Sequence, residues 1–522
     1  MDWSRQLRKL TYQWLSCGGK DLLLYQNASD GNLYQLRTAQ LSASGNLSAW
    51  LPEIFLPKWK FSEGRIDAFT ASPDCQTLLV PTKVEKPAEA VLCPELSCYS
   101  ASNPAKLQLA VWGPASSFIA FVYQNNIYYA EDPFNMAPVR ITDNRGDPAI
   151  ANGIASWVYE EEILETSTAL WVSPGNQRIA YLRFNDSRTG RYEMQWFGSP
   201  EAAYPQRRSV YYPKAGSVGA PISNVTVHVF DVKTTRTAQL ARPGPVPEEH
   251  YIGAVRWLDA DRLLLAWLDR SQTEGCLTVC RLPEATCSLI YNEHRPTGWV
   301  ELMKQTNSQP LVDPTGNRIF IVLHNSGFRR LAHLRTDSFK VLQWITPAAY
   351  DVSDIVHFDP SRRHLYFLSC REQTDSCDAT KMHVHRIPVP SSDQQSPVAN
   401  CMTCEPLLHP FNVTCDYSLA SFSHSGEHFL HECLGPEPFQ YFLRHNDYSS
   451  GYPVQATLER NDLLKQRLST RRIPRPVFKR LLLRNRTTDK ERADPLEVNA
   501  KLLVPAQLNE SHITKYPLLL KV

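Results

Sequence analysis

"ALWVSPGNQRIAYLRF", residues 169–184, decides the fold. An apolar run ends at Val172, Ser-Pro-Gly-Asn follows as a tight turn, and a second run from Arg178 alternates apolar with polar side chains. Proline and glycine fix turn dihedrals, and alternation of period two turns one face of each strand to a core, so the stretch predicts a β-hairpin. The same unit returns in "DAFTASPDCQTLLVP" (67–81), "LAVWGPASSFIAFVYQNNIYYA" (109–130), "AVRWLDADRLLLAWL" (254–268), "PLVDPTGNRIFIVL" (310–323), "IVHFDPSRRHLYFL" (355–368) and "ASFSHSGEHFLHEC" (420–433).

The turn residues Pro73, Pro114, Pro174, Asp259, Pro314, Pro360 and Ser425 recur at irregular intervals of roughly 40 to 85 residues, as blades carrying insertions do. "LLLYQNASDGNLYQL" (22–36) is a candidate for a further blade. The expected fold is all-β, a β-propeller of seven to eight blades. A sandwich with irregular loops is the competitor, and repeated inner hairpins favour radial repetition.

Composition narrows the partners. The 522 residues allow about three domains by length, or fewer if one large β unit dominates. Fifty-five basic residues stand against 53 acidic ones, so no global field points to nucleic acid or an acidic membrane surface. Thirty-eight prolines, six methionines and 10% aromatics suit short strands and turns.

The 13 cysteines include close pairs, Cys93/Cys98, Cys280/Cys287, Cys370/Cys377 and Cys401/Cys404, and a wider one, Cys415/Cys433. Such pairs suggest disulfides in an oxidising compartment, with an odd thiol left over. Seven Asn-X-Ser/Thr sequons, at Asn27, Asn46, Asn185, Asn224, Asn412, Asn485 and Asn509, agree with a secreted or luminal glycoprotein. The first twenty residues hold no apolar run long enough for a signal peptide or a membrane span. Either an upstream segment precedes them or the extracellular reading fails.

Texture changes near residue 455. "QATLERNDLLKQRL" (455–468) has helical spacing, "STRRIPRPVFKR" (469–480) is a basic connector, and the remainder reads as two strands around a polar loop. The closing "YPLLLKV" (516–522) reads as a buried strand.

Three motifs bear on chemistry. In "WVYEEEILE" (157–165) Glu160, Glu161 and Glu162 crowd together beside aromatics. On a helical turn, adjacent side chains diverge by about 100°, so two carboxylates converge on one cation while the third points away. A pair of this kind grips an ammonium group through charge-assisted hydrogen bonds; a solvated acidic face is the bland alternative. "CMTC" (401–404) is a zinc half-site without a second half, which leaves a structural disulfide as the better reading. His383 and His385 in "KMHVHRIPV" share one side of a strand, but two ligands without a third make no metal site, and a solvent-facing strand is preferred. No metal and no cofactor is expected.

The ordered words "WVYEEE", "ALWVSPG", "AYLRFND" and "YPKAG", with weaker similarity in "NNIYY", "CMTC", "ASFSHS" and "KYPLLL", resemble the dipeptidyl peptidase IV family of the prolyl oligopeptidase clan. The resemblance implies an eight-bladed propeller over an α/β-hydrolase domain, here as an N-terminal segment (1–20), a propeller (21–454), a connector (455–477) and the opening strands of a truncated hydrolase domain (478–522). It implies that Glu161 and Glu162 hold a substrate's free N-terminal amine, for release of X-Pro or X-Ala dipeptides, and that Cys415 pairs with Cys433. The family's dimer contacts come from the hydrolase domain and a propeller extension, so a homodimer stays open for a full-length parent on the outer side of the plasma membrane.

The departures are specific. Residues 80–103 contain no arginine where the family's peptidases carry one to hold the substrate backbone, and Met303 stands near the place of an aromatic pocket residue. No Gly-X-Ser-X-Gly elbow occurs, so the chain as given lacks the family's Ser-Asp-His triad and is expected to be inactive alone. "AKLQ", "WGP", "EEEIL" and "NDSR" are also similar to the non-peptidase siblings that serve as auxiliary subunits of A-type potassium channels. The alternative partner is therefore a membrane protein rather than a peptide.

Overall fold

The computed structural model describes residues 9–26, 32–38, 53–56, 69–82, 89–93, 107–134, 137–197, 204–216, 221–302, 310–339, 341–348, 350–370, 377–378, 380–390, 397–407, 413–483, 496–508 and 517–521. Each quoted hairpin forms. In the stretch that opens the sequence argument, Leu170–Val172 pairs antiparallel with Arg178–Asn185. Ser173 Oγ closes the turn by accepting the Arg178 N–H at 2.8 Å, and Gly175 takes φ of 78°, a left-handed backbone that favours glycine.

Hairpins extend into antiparallel sheets that follow one another along the chain. Those at 11–56, 109–140, 250–294, 311–344, 352–401 and 417–459 have four strands, that at 70–93 has three, and that at 150–239 has five. Burial concentrates in the middle strands: Arg262–Asp269 is covered over most of its length, whereas the outer strand Arg236–Gln239 is largely exposed.

The apolar faces show why these sheets form a propeller. Leu22 and Leu24 of the first sheet pack with Phe69 and Leu78 of the second, and Leu79 of the second packs with Ile119 of the third. Val122 of the third joins Ile179 of the fourth. One large cluster then runs through the fourth, fifth and sixth sheets, and smaller ones join sixth to seventh and seventh to eighth. Finally Leu430 and Leu443 of the eighth pack with Trp14 and Leu23 of the first. No sheet face of this series can be dried alone, and the sequence of shared cores returns to its start.

Bonds between the turns of neighbouring sheets follow the same order at one rim over much of the series. Cys17 is disulfide-bonded to Cys75. Ser117 Oγ donates to Asp74 Oδ2 at 2.7 Å, Asn176 Nδ2 donates to the Ala115 carbonyl, and Arg178 Nη1 donates to Asp261 Oδ1 at 2.5 Å. Arg262 Nη1 reaches Asn317 Oδ1 at 3.2 Å, and the Ser425 N–H reaches Asp21 Oδ2 at 3.1 Å.

Several expectations change. Residues 455–459 are not helical: Val454–Glu459 is the fourth strand of the last sheet, because pairing with Gln440–His445 outweighs local spacing, and the helix is confined to Asp462–Ser469. Residues 517–521 form no strand, and Leu518, Leu519 and Leu520 are exposed. His383 and His385 are buried rather than solvent-facing, since the strand His383–Pro388 lies inside the seventh sheet. The Cys17–Cys75 bond joins cysteines 58 residues apart that no local spacing pairs.

Disulfides also join Cys280 to Cys287, Cys370 to Cys377, Cys401 to Cys404 and Cys415 to Cys433. Cys276 is the free cysteine among the described residues, and burial pushes its thiol up to about 11. Cys93 is described only as a strand residue, and Cys98 and Met303 lie outside the described residues. Among those residues no helix is long and apolar enough to cross a membrane. Strands Arg475–Leu483 and Leu496–Val504 form a separate two-stranded sheet.

Candidate functional site

The glutamate triplet sits on an excursion from the first, edge strand of the fourth sheet. Ile150–Asn152 and Leu170–Val172 both pair with Arg178–Asn185, in line with one another, and everything from Gly153 to Ala169 leaves the ladder between them. Leu182 pins both ends: its carbonyl accepts the Gly153 N–H at 2.9 Å and its N–H donates to the Ala169 carbonyl at 2.9 Å. Gly153 has φ of 73°, and a Cβ there would stand 2.8 Å from Ile127 Cγ1, so conformation and space both require glycine.

Inside the excursion the chain makes a single π-helical turn, Tyr159–Ile163, closed by a 2.7 Å bond from the Leu164 N–H to the Tyr159 carbonyl. Two buried side chains, Tyr159 and Ile163, face the core, so Glu160, Glu161 and Glu162 are left exposed between them. The stretch thus forms a helical turn, the condition under which two of its carboxylates can converge, in the wider π form.

Tyr159 is the anchor. Its ring meets Phe184 edge-on at 4.7 Å and Tyr251 at 5.9 Å, and its hydroxyl accepts the Ile252 N–H at 3.1 Å. Ile252 lies at a register shift in the first strand of the fifth sheet, so the tyrosine supplies an acceptor where the ladder slips. Burial raises the Tyr159 hydroxyl far above its ordinary range and keeps it neutral. Burial first, and the charge of Glu161 second, raise the Glu160 carboxyl above its ordinary value.

Two distant words of the sequence meet here. Trp157, 41% exposed, lies 5.6 Å from the ring of Tyr212, the tyrosine of "YPKAG". Exposed Trp157 with half-buried Tyr212 thus adjoins in sequence the turn that carries three exposed carboxylates, a combination that attracts a cation carrying an apolar group. Among the described residues neither Glu161 nor Glu162 is bonded to a basic side chain. The roles of Tyr159, Phe184 and Tyr251 are not legible in the sequence, because an aromatic residue in a strand reads as core.

Trp299 is 70% exposed, Val300 is buried, and Glu301 bridges His324 Nε2 at 3.3 Å and Arg329 Nε at 3.2 Å. Asn185 and Asn224 are direct cross-strand partners lining one cavity of 300 Å³. The sequons at Asn27, Asn46, Asn412, Asn485 and Asn509 lie outside the described residues, as does most of the arginine-free stretch 80–103.

Comparison with known proteins agrees with the fold. A family model described as the dipeptidyl peptidase IV (DPP IV) N-terminal region matches residues 82–439. The chain is 28% identical over 377 residues to inactive dipeptidyl peptidase 10 of Rattus norvegicus, covering 70% of this chain and 44% of that protein. It is 27% identical over 435 residues to dipeptidyl peptidase 4 of Sus scrofa, covering 80% and 52%. The crystal structure of Porphyromonas gingivalis dipeptidyl peptidase 4 matches with a TM-score of 0.76 at 18% identity, over 97% of this chain and 66% of that one, a likeness that shows the fold. The chain spans about half the length of these curated relatives.

Proposed function

The chain belongs to the dipeptidyl peptidase IV family through its N-terminal region, and on that premise we propose that its propeller binds the protonated amino terminus of a peptide through Glu161 and Glu162. The observation that carries this reading is the π-helical turn, which exposes its carboxylates next in sequence to Trp157 while its buried residues tie it to the core. A primary ammonium group has three N–H donors, which two carboxylates satisfy with charge-assisted bonds.

Recognition without turnover is the second part of the proposal. The 522 residues contain no Gly-X-Ser-X-Gly elbow, so this chain holds a peptide end and does not cut it. In a full-length parent the same clamp would set a dipeptide-removing exopeptidase in register. The two-stranded sheet 475–504 fits the opening of its hydrolase domain. The inactive relative and the arginine-free stretch 80–103 favour a second reading, a non-peptidase glycoprotein that binds a membrane protein such as a potassium channel. Disulfides and sequons support an extracellular position under either reading.

Titration with a fluorescent Gly-Pro peptide tests the clamp. Binding should be lost when the peptide's amine is acetylated, and should weaken by about 10- to 100-fold in Glu161→Gln and Glu162→Gln, the value of a hydrogen bond to a charged group. Equal affinity for free and acetylated peptides defeats the proposal.

A further inference from the structure

Two motifs are incomplete in the sequence: Cys401-Met-Thr-Cys404 lacks a second half, and His383 lacks ligands beyond its neighbour His385. The seventh sheet brings them together. Its third strand, His383–Pro388, pairs with Asn400–Cys401, the Met402 N–H donates to the Val384 carbonyl at 2.8 Å, and Thr403 Oγ1 accepts the Val384 N–H at 3.0 Å. The chain therefore turns back over His383, and a ring nitrogen of that histidine and the sulfurs of Cys401 and Cys404 all lie within 4.8 Å of one another. His383 is 2% exposed, and both cysteines are half-buried.

In this structure the two sulfurs are joined at 2.01 Å, so the corner is in its oxidised form. We propose that reduction of the Cys401–Cys404 disulfide by a dithiol turns it into a Zn²⁺ site, with the two thiolates and His383 as ligands. The S–S bond breaks, two thiols form, and the dithiol closes to its cyclic disulfide. Zn²⁺ then displaces one proton from each thiol.

The chemistry suits the place. Two sulfurs separated by two residues chelate one metal, and a neutral imidazole is the ligand form of histidine. Two thiolates neutralise the dication, so the half-buried corner acquires no net charge. For tetrahedral zinc with Zn–S near 2.3 Å the sulfurs must stand about 3.8 Å apart, a separation that side-chain rotation supplies once the bond is cut. Three protein ligands leave the fourth position for water, as an open zinc site requires.

Cobalt reports on such a site directly. After dithiothreitol treatment and its removal without air, the full chain titrated with Co²⁺ alone should bind one equivalent, with a thiolate-to-cobalt absorption band and the intense visible bands of a tetrahedral ion. Zn²⁺ should bleach them. The oxidised chain should give none. Cys401→Ser/Cys404→Ser should lose the bands, His383→Ala should weaken binding by at least about tenfold, and Cys280→Ser/Cys287→Ser, which removes a disulfide elsewhere, should leave them intact. Circular dichroism of each reduced variant shows whether it is folded, and His383→Gln serves if His383→Ala is not. Bands that persist in the folded Cys401→Ser/Cys404→Ser variant, unchanged affinity without His383, or no bands in the folded reduced chain overturn the proposal.

Discussion

Tyr12 Oη donates a 2.6 Å hydrogen bond to Glu432 Oε1 across 420 residues of sequence, joining the first strand of the first sheet to the second strand of the last. Both groups are largely out of water, and the Glu432 carboxyl is raised by that burial. Beside them Trp14 Nε1 donates to the Ser421 carbonyl at 3.2 Å.

Tyr12→Phe removes the donor and leaves a buried carboxylate short of a partner, which costs about 1–3 kcal/mol. Because this bond spans the seam where the propeller closes, the variant should lower the urea midpoint without changing the slope. A loss below about 0.5 kcal/mol would mean that the apolar cluster of Leu23, Leu430 and Leu443 closes the seam unaided.

Tyr159→Phe separates positioning from binding at the glutamate turn. The Ile252 N–H would lose its acceptor, a cost of about 1–3 kcal/mol in stability. Affinity for a free-amine peptide should fall less than in Glu162→Gln, since every carboxylate is kept. Tyr159→Phe should also leave the pH profile of binding where it is.

Buried histidines make the fold acid-sensitive. Burial, as the largest cause, pushes His228, His357 and His428 down to about 4 and holds His431 well below its ordinary value. In the unfolded chain each takes a proton near pH 6.5. Unfolding therefore takes up protons between about pH 6.5 and 4, and stability present above that window is lost as pH falls through it. Each histidine adds at most about 1.4 kcal/mol per pH unit to the slope. Urea midpoints measured from pH 7 to 5 should fall, and His428→Asn should flatten the fall by up to one such increment; parallel curves would exclude His428.

Stability also has a surface counterpart in the two-stranded sheet 475–504. Val477 opposite Leu502 and Leu481 opposite Val498 share one face, and Leu481 and Leu502 are 43% and 36% exposed. Apolar strand faces of this kind associate. Sedimentation velocity should show concentration-dependent self-association that Leu481→Lys/Leu502→Lys reduces.

The hairpins were legible because Pro174, Gly316 and Gly426 act locally, on dihedrals that neighbouring residues cannot override. Ring closure was not, since Tyr12 and Glu432 carry no mark of each other. The strand at 455–459 misled for the same reason, its partner being a strand that spacing does not reveal. His383 shows a further limit: alternation says that two residues share a face, but not which face is inside. The glutamate turn was read through family resemblance, while the part that fixes it, Tyr159 against Ile252, needed coordinates.

The way Gly153 and Ala169 both bond to Leu182 has a consequence for how recognition can change. The excursion between them departs and returns at a single residue of the neighbouring strand, so the ladder keeps its phase whatever lies between. Its length can change without shifting the register of the blade, provided that Tyr159 keeps its seat against Phe184. The segment behaves as a socket, in which a different recognition loop can be seated while Gly153 and Leu182 remain as its rim.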